Sequence, residues 1–423
     1  LEIDLVNLRS ESYASSSRIP QVQFGTAEED ALRRDFTVNA LFYNIRTGEI
    51  EDFTGKGLED LRNKLLRTPL AAHQTFMDDP LRLMRAIRFA SRLDFELHQD
   101  IVEAAASEQV KDSLKTKVSR ERIRDEFEKS IDGPDPQSAL QHIGSFGLLD
   151  VILDLSPKRI SGVNYSEACL KSATIATNIL RAAPAQASPS ASSSSSSSLP
   201  GGLIAETKAG VRLGILSALV LPLRDYKTED EKKRPVSVPE YAMGVALKRK
   251  KEAALIADMM NAAVSMKGAE KGISELSDVG EEDRVAFGLA IRKAKGHWKV
   301  SAVLSFILGL SCGRSLAIEQ GAHQEFDSPR QHQPSTMSDI VSQGQSYVAS
   351  MVQAAVSLKL DRAWEVKPLL NGKEVMQIMG AKGPLIGKTM ASMMGWQMAH
   401  PEASKENCVE WLRARATPKM NEA

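Results

Sequence analysis

The segment Met77-Asp78-Asp79-Pro80-Leu81-Arg82-Leu83-Met84-Arg85-Ala86-Ile87-Arg88-Phe89-Ala90-Ser91-Arg92 sets two carboxylates and a proline ahead of four arginines spaced three or four residues apart. At about 100° per residue, a helix here gathers Arg82, Arg85, Arg88 and Arg92 into one stripe. Leu83, Met84, Ala86, Ile87, Ala90 and Leu93 then fill the opposite face. A row of guanidiniums beginning at a helix N-terminus suits a triphosphate, because each pairs bidentately with phosphate and stays charged at any working pH. Asp79 and Arg82, one turn apart, add a way to read a base: a carboxylate only accepts hydrogen bonds and a guanidinium only donates them. Cytosine and adenine each present an amino donor beside a ring-nitrogen acceptor, whereas guanine and uracil show the opposite order on that edge. One Asp with one Arg therefore favours C and A and leaves unpaired groups against G and U. Viewed alone, the same pattern also describes a capped amphipathic helix with a solvated basic face.

A second cluster lies upstream. Asp30-Ala31-Leu32-Arg33-Arg34-Asp35-Phe36-Thr37-Val38-Asn39-Ala40-Leu41 places two guanidiniums, carboxylates and an amide within two or three turns of an expected helix. An isolated Arg-Arg-Asp run is equally a surface ion pair worth under about 1 kcal/mol. It is the pairing with the downstream cluster that marks Arg34 and Asp35 as candidate nucleotide ligands.

The elements that must carry these groups follow from patterning. Residues 1–8 read as extended, residues 10–17 as a Ser-rich loop, and residues 28–41 as helix. The extended runs 42–45 and 49–53 are joined by a turn at Thr47-Gly48. From residue 57 to about 152 the pattern is helical, with Asp79-Pro80 as an N-cap followed by proline in the first helical position, and with Ser119 opening another helix. Residues 182–202 hold seven consecutive serines and then Leu199-Pro200-Gly201-Gly202, a composition that predicts a flexible insertion. Residues 204–221, 241–266, 281–310 and 340–358 are helical by periodicity, and a polar stretch over 320–338 separates the last two. There is no internal repeat. The alternating run Leu1-Glu2-Ile3-Asp4-Leu5-Val6 opens the chain without a methionine, and it reads as a domain entered inside a strand.

Composition excludes little. The 423 residues are 42% hydrophobic and 26% charged, as in ordinary globular proteins. Fifty-four basic residues balance fifty-four acidic ones, so a nucleic-acid partner must be held by local basic faces. Cys169, Cys312 and Cys408 stand far apart without metal-ligand spacing, which predicts ordinary thiols. The apolar runs 211–223 and 301–312 fall short of the roughly 20 residues that span a bilayer and read as buried helices, so no membrane partner is expected. Gly383-Pro384-Leu385-Ile386-Gly387-Lys388-Thr389 resembles a phosphate-binding loop but is one residue short, contains proline and follows no expected strand. Lys248-Arg249-Lys250-Lys251 sits in a helical pattern, either as a solvated face or as a contact to RNA phosphates.

Taken together, residues 30–41 resemble motif B of the class II tRNA nucleotidyltransferases, Asp52-Phe53-Thr54-Gly55-Lys56-Gly57-Leu58-Glu59-Asp60-Leu61 motif C, Asp78 to Arg82 motif D, and residues 119–131 motif E. The likeness is close over residues 1–149. It returns at Val366-Lys367-Pro368-Leu369-Leu370-Asn371-Gly372 and residues 383–388, which are similar to the tail of eukaryotic and fungal members. The resemblance implies an α+β chain: a partial nucleotidyltransferase-type α/β head over residues 1–56, then an all-helical neck over 57–152, a body over 153–345 and a tRNA-binding tail over 346–423. It implies templated addition of C, C and A to tRNA 3′ ends from CTP and ATP, with Mg2+ in the complete enzyme. It further implies that Arg34 and Asp35 contact phosphate and ribose, that Asp79 and Arg82 read the base, that Arg85 and Arg88 hold the triphosphate, and that motif C is a hinge freed by Gly55 and Gly57. Motif D of the family usually begins Glu-Asp and here begins Asp78-Asp79.

The family also carries a Gly-Gly turn and an Asp-x-Asp pair upstream of these motifs, and no such segment is read ahead of motif B in this sequence. The expectation is therefore a chain inactive by itself, with Asp4 at best one auxiliary metal ligand. Family members serve cytoplasm, nucleus and mitochondrion. Two other readings remain open at this stage: a poly(A) polymerase-like enzyme that shares the motifs, and a non-catalytic tRNA-binding protein. No feature of the sequence sets an oligomeric state.

Overall fold

Backbone pairing in the head is local. In the computed structural model, which describes residues 6–12, 21–155, 165–182, 207–230, 232–274, 279–310, 336–380 and 383–416, every described strand lies in a two-stranded sheet. Strand Arg9–Ser12 pairs antiparallel with Gln21–Phe24, so residues 10–12, expected in a loop, belong to a strand. Asp4, the other Ser-rich positions and the serine run at 192–198 lie outside the described residues.

Phe42–Asn44 pairs antiparallel with Glu49–Glu51. Their turn forms because the Asn44 side-chain oxygen accepts from the amides of Arg46 at 3.0 Å and Thr47 at 3.3 Å. Gly48 supplies the left-handed residue at φ +74°.

The helix expected over 28–41 is shorter. It runs Ala27–Leu32, opened by a capping box between Thr26 and Glu29. It stops because buried Asp35 turns its carboxylate onto the backbone amide of Phe36 at 3.0 Å and accepts from Asn39 Nδ2 at 3.2 Å, offering the chain an alternative to helical bonding. A short 3₁₀ turn, Thr37–Asn39, follows.

Motif C ties this turn to the helices. The Asp52 carboxylate accepts from Thr54 N, Thr54 Oγ1 and Leu58 N, which caps the start of helix Gly57–Arg62. Burial pushes the Asp52 carboxyl up, but these hydrogen bonds outweigh it and hold the group below its ordinary value. Buried Asp60 accepts from Thr37 Oγ1 at 2.7 Å and pairs with Arg67 Nη2 at 3.1 Å. Gly55, at φ +67°, does need the conformational freedom expected of it. Gly57 is required for a different reason: a Cβ there would sit 2.7 Å from the Thr37 carbonyl oxygen. Gly57→Ala is therefore expected to lower stability by about 1–3 kcal/mol through backbone displacement, measurable as a fall in Tm, whereas Gly57 acting only as a loose hinge residue would leave Tm unchanged.

Seven helices follow: Ala72–Asp78, Leu81–Leu93, Gln99–Ala106, Glu108–Lys117, Arg120–Ile131, Pro136–Ser145 and Leu149–Ile152. Helix Leu81–Leu93 buries Leu83, Met84, Ala86, Ile87 and Ala90 as its periodicity requires. Ile123, Phe127 and Ile131 of helix Arg120–Ile131 are also buried, and these two helices pack together. Leu93, expected on the apolar face, is largely exposed at the helix end, where Asp94 adopts the left-handed cap conformation.

The chain divides into two compact units, Leu1–Thr174 with Asp225–Ala253 and Ile175–Arg224 with Ala254–Ala423. In the first, Arg120 donates to the carbonyls of Val151, Ile152 and Ala246, and Arg249 pairs with buried Glu128. The basic run at 248–251 is thus no continuous helical face: Lys248 takes φ +53°, Arg249 is engaged, and helix Lys250–Ser274 starts only afterwards.

The second unit is helical. Lys208–Val220 and Trp298–Leu308 are buried as their apolar composition predicts. The helix expected over 281–310 is divided by Lys295, at φ +54°, into Glu281–Ala294 and a second helix after a short 3₁₀ turn. Toward the end of the chain, Leu370, Val375, Met393, Cys408 and Leu412 form a separate apolar cluster. There Gly383 precedes helix Pro384–Ala399, and among the described residues the element before it is helix Gly372–Met379, so the segment is a helix start with proline in the first turn. No helix among the described residues is long and apolar enough to cross a membrane.

Candidate nucleotide-binding site

Asp79 sits in extended backbone between helices Ala72–Asp78 and Leu81–Leu93. Its carbonyl accepts from Arg82 N at 3.0 Å and its Oδ1 from Leu81 N at 3.3 Å. It thus accepts from the first helical amide, but the cap position falls on Pro80, which was expected inside the helix, and Asp79 closes the preceding helix. Its Oδ2 lies 3.7 Å from Arg122 Nη2, on the helix that carries motif E.

The arginine stripe is graded, not uniformly solvated. Arg82 is half-buried and donates through Nη2 to the Arg33 carbonyl at 2.6 Å, which joins motif D to motif B. Arg85, also half-buried, donates to Asp35 Oδ2 from Nε at 2.8 Å and Nη2 at 2.5 Å. Arg92 is exposed. Arg88 departs from expectation: it is 8% exposed, donates through Nε to Glu126 Oε2 at 2.5 Å, and lies 4.3 Å from the Phe89 ring centroid. Glu126 is 5% exposed. A phosphate reaches this guanidinium only by displacing a buried carboxylate; in this structure Arg88 joins motif D to motif E.

Motif B is equally committed. Asp30 is buried and accepts from Arg9 N, from Arg33, and from Arg34 Nε at 3.0 Å and Nη2 at 2.9 Å. Burial pushes the Asp30 carboxyl up, yet the hydrogen bonds from Arg33, Arg34 and Arg9 prevail and hold it below the usual value. Arg34 also donates to the Asn39 carbonyl at 2.9 Å and lies 4.9 Å from the Phe42 ring centroid. Asp35 accepts from Arg85, Asn39 and Phe36 N at once. The structure thus brings Arg34, Asp35, Arg82 and Arg85 together through a chain of direct contacts, with Asp79 at the start of the same helix.

Sequence reasoning did not single out Asp30, Arg33, Asn39, Arg122 or Glu126. The spacings of three and four from Asp30 to Arg33 and Arg34 were a signal for the first two. For Glu126 no signal exists within its own helix, because its partner is 38 residues away.

Among the described residues no group of three or more His, Cys, Asp or Glu side chains could hold a metal ion. The nearby carboxylates of Asp30 and Asp35 are engaged by arginines, so they do not fit a magnesium site.

Residues 1–67 match the family model of the "Poly A polymerase head domain", and residues 94–158 that of the "Probable RNA and SrmB- binding site of polymerase A". Over nearly its whole length the chain is similar to the mitochondrial CCA tRNA nucleotidyltransferase of Saccharomyces cerevisiae, at 33% identity over 98% of this chain and 74% of the relative. A tRNA nucleotidyltransferase of Schizosaccharomyces pombe is 32% identical over 98% of this chain and 76% of its own length. Among solved structures, the Bacillus stearothermophilus CCA-adding enzyme in complex with CTP shares the fold, with a TM-score of 0.54 at 20% identity over 97% of this chain and 78% of that one. The fold is thus a nucleotidyltransferase-type head followed by helical domains. The chain belongs to the class II CCA-adding tRNA nucleotidyltransferases.

Proposed function

We propose that this protein adds C, C and A to tRNA 3′ ends from CTP and ATP, using side chains and no nucleic-acid template to choose the base. The observation that carries the reading is the direct joining of motifs B and D through Arg82 to the Arg33 carbonyl and Arg85 to Asp35. In this reading Asp79 accepts from the amino group of C or A and Arg82 donates to the ring nitrogen beside it. Arg34 and Arg85 neutralise phosphate, and Asp35 accepts from the ribose. Arg85 exchanges its bonds with Asp35 for phosphate oxygens as the nucleotide arrives, which frees the Asp35 carboxylate for the sugar. In the complete enzyme Mg2+ would be held by carboxylates other than Asp30 and Asp35, where it would supply charge neutralisation for phosphoryl transfer. The helical neck, body and tail over 57–152, 153–345 and 346–423 recognise tRNA by shape and backbone. Mitochondrion, nucleus and cytoplasm are the proposed sites of action.

A tRNA ending before its CCA, incubated with each nucleotide singly and together and with an enzyme restored at its N-terminus in the Gly-Gly and Asp-x-Asp segment, tests the proposal; the chain by itself is expected to transfer none. Addition of C, C and A followed by arrest is the expected result. Extension with ATP alone marks a poly(A) polymerase, and tRNA binding with no nucleotide bound or transferred marks a non-catalytic binding protein.

A further inference from the structure

Helix Arg120–Ile131 does more than pack beneath the nucleotide helix. Its residue Glu126 is locked to Arg88, which fixes how the two helices lie against each other. One turn earlier on the same helix, Arg122 brings Nη2 to 3.7 Å from Asp79 Oδ2. The Arg122 side chain is 37% exposed, yet its Nη1 is buried and has no hydrogen-bond partner among the described residues. A buried donor without an acceptor is costly, and that cost falls when an acceptor arrives.

Asp79 is held partly from outside its own segment. Its backbone is extended between two helices, Leu81 N donates to Oδ1 at 3.3 Å, and Arg122 approaches Oδ2 from another helix. At 3.7 Å the guanidinium orients that oxygen electrostatically without itself forming a hydrogen bond to it. The contrast is Asp35, where Arg85 makes two short bonds to one oxygen.

We infer that Arg122 is a positioning residue for base choice, aiming the Asp79 carboxylate at the amino group of the incoming C or A and balancing its charge once a base covers it. The inference rests on the reading of Asp79 as a base-reading group. Arg122 acts through Asp79, so its removal lowers the preference for CTP over UTP more than it lowers nucleotide affinity in general.

Equilibrium binding of CTP, ATP, UTP and GTP to the full chain, in the presence of tRNA lacking its CCA end, tests this directly. Arg122→Gln is expected to reduce the CTP-over-UTP affinity ratio about tenfold, with Arg122→Lys retaining most of the ratio and Asp79→Asn/Arg122→Gln no worse than Asp79→Asn alone. Equal weakening of all four nucleotides by Arg122→Gln, or an unchanged ratio, overturns the inference if Asp79→Asn does collapse the ratio. An unchanged ratio in Asp79→Asn instead removes the base-reading assignment on which the inference stands. If Arg122→Gln lowers Tm, Arg122→Met supplies the comparison, since loss of packing alone weakens all four nucleotides alike.

Discussion

Asp79→Asn is expected to lower the kcat/KM preference for CTP and ATP over UTP and GTP by about 10- to 100-fold while leaving Tm within about 2 °C of the parent. The two halves of this result have separate causes. Asparagine keeps a side-chain oxygen for the Leu81 amide, so the helix start is preserved. Its NH2, however, places a donor where the carboxylate had an acceptor, opposite the amino group of C or A. The favoured bases then lose about 1–3 kcal/mol that UTP and GTP never gained. Arg85→Ala should behave differently, reducing incorporation of all four nucleotides by a similar factor, because its guanidinium is aimed at phosphate in the proposed complex and at Asp35 without it. The measurement, in an enzyme restored at its N-terminus, is kcat/KM for each nucleotide on tRNA lacking its CCA end. An unaltered selectivity ratio in Asp79→Asn would refute protein templating by this helix and leave Asp79 as a cap only.

Glu126→Ala should destabilise the first compact unit by about 3–5 kcal/mol, because it strands the Arg88 guanidinium in a site from which water is largely excluded. For a unit of this size that is a fall in Tm of about 10 °C, readable by calorimetry. The paired change Arg88→Met with Glu126→Leu should recover most of it, since well-packed apolar groups replace a buried ion pair at little net cost. The double variant also settles the function of Arg88. If Arg88 is a strut, CTP affinity survives in the double variant; if Arg88 binds phosphate in spite of its burial, CTP affinity falls about tenfold or more even though the fold is restored.

The sequence by itself determined the order of motifs and the family they define, since these depend on residue type and spacing along one chain. It also determined the apolar face of helix Leu81–Leu93 and the hairpin around Gly48, both products of local rules: a 3.6-residue period and a turn that needs a left-handed residue.

What only the tertiary structure decided is which charges are free and which are already bound. Arg82, Arg85, Arg88 and Arg92 are equivalent in a helical projection, yet Arg92 faces water, Arg82 and Arg85 meet motif B, and Arg88 is sealed against Glu126. The helix expected through residue 41 ended at Leu32 because Asp35, once buried, bonded its neighbours' amides and a guanidinium 50 residues away. The hinge glycine Gly57 proved to be a point of backbone contact with Thr37, a residue 20 positions earlier. Each of these outcomes depends on partners remote in sequence, and burial decides their energy: a charge exposed to water costs nothing to leave alone, whereas a buried one must find its counterion.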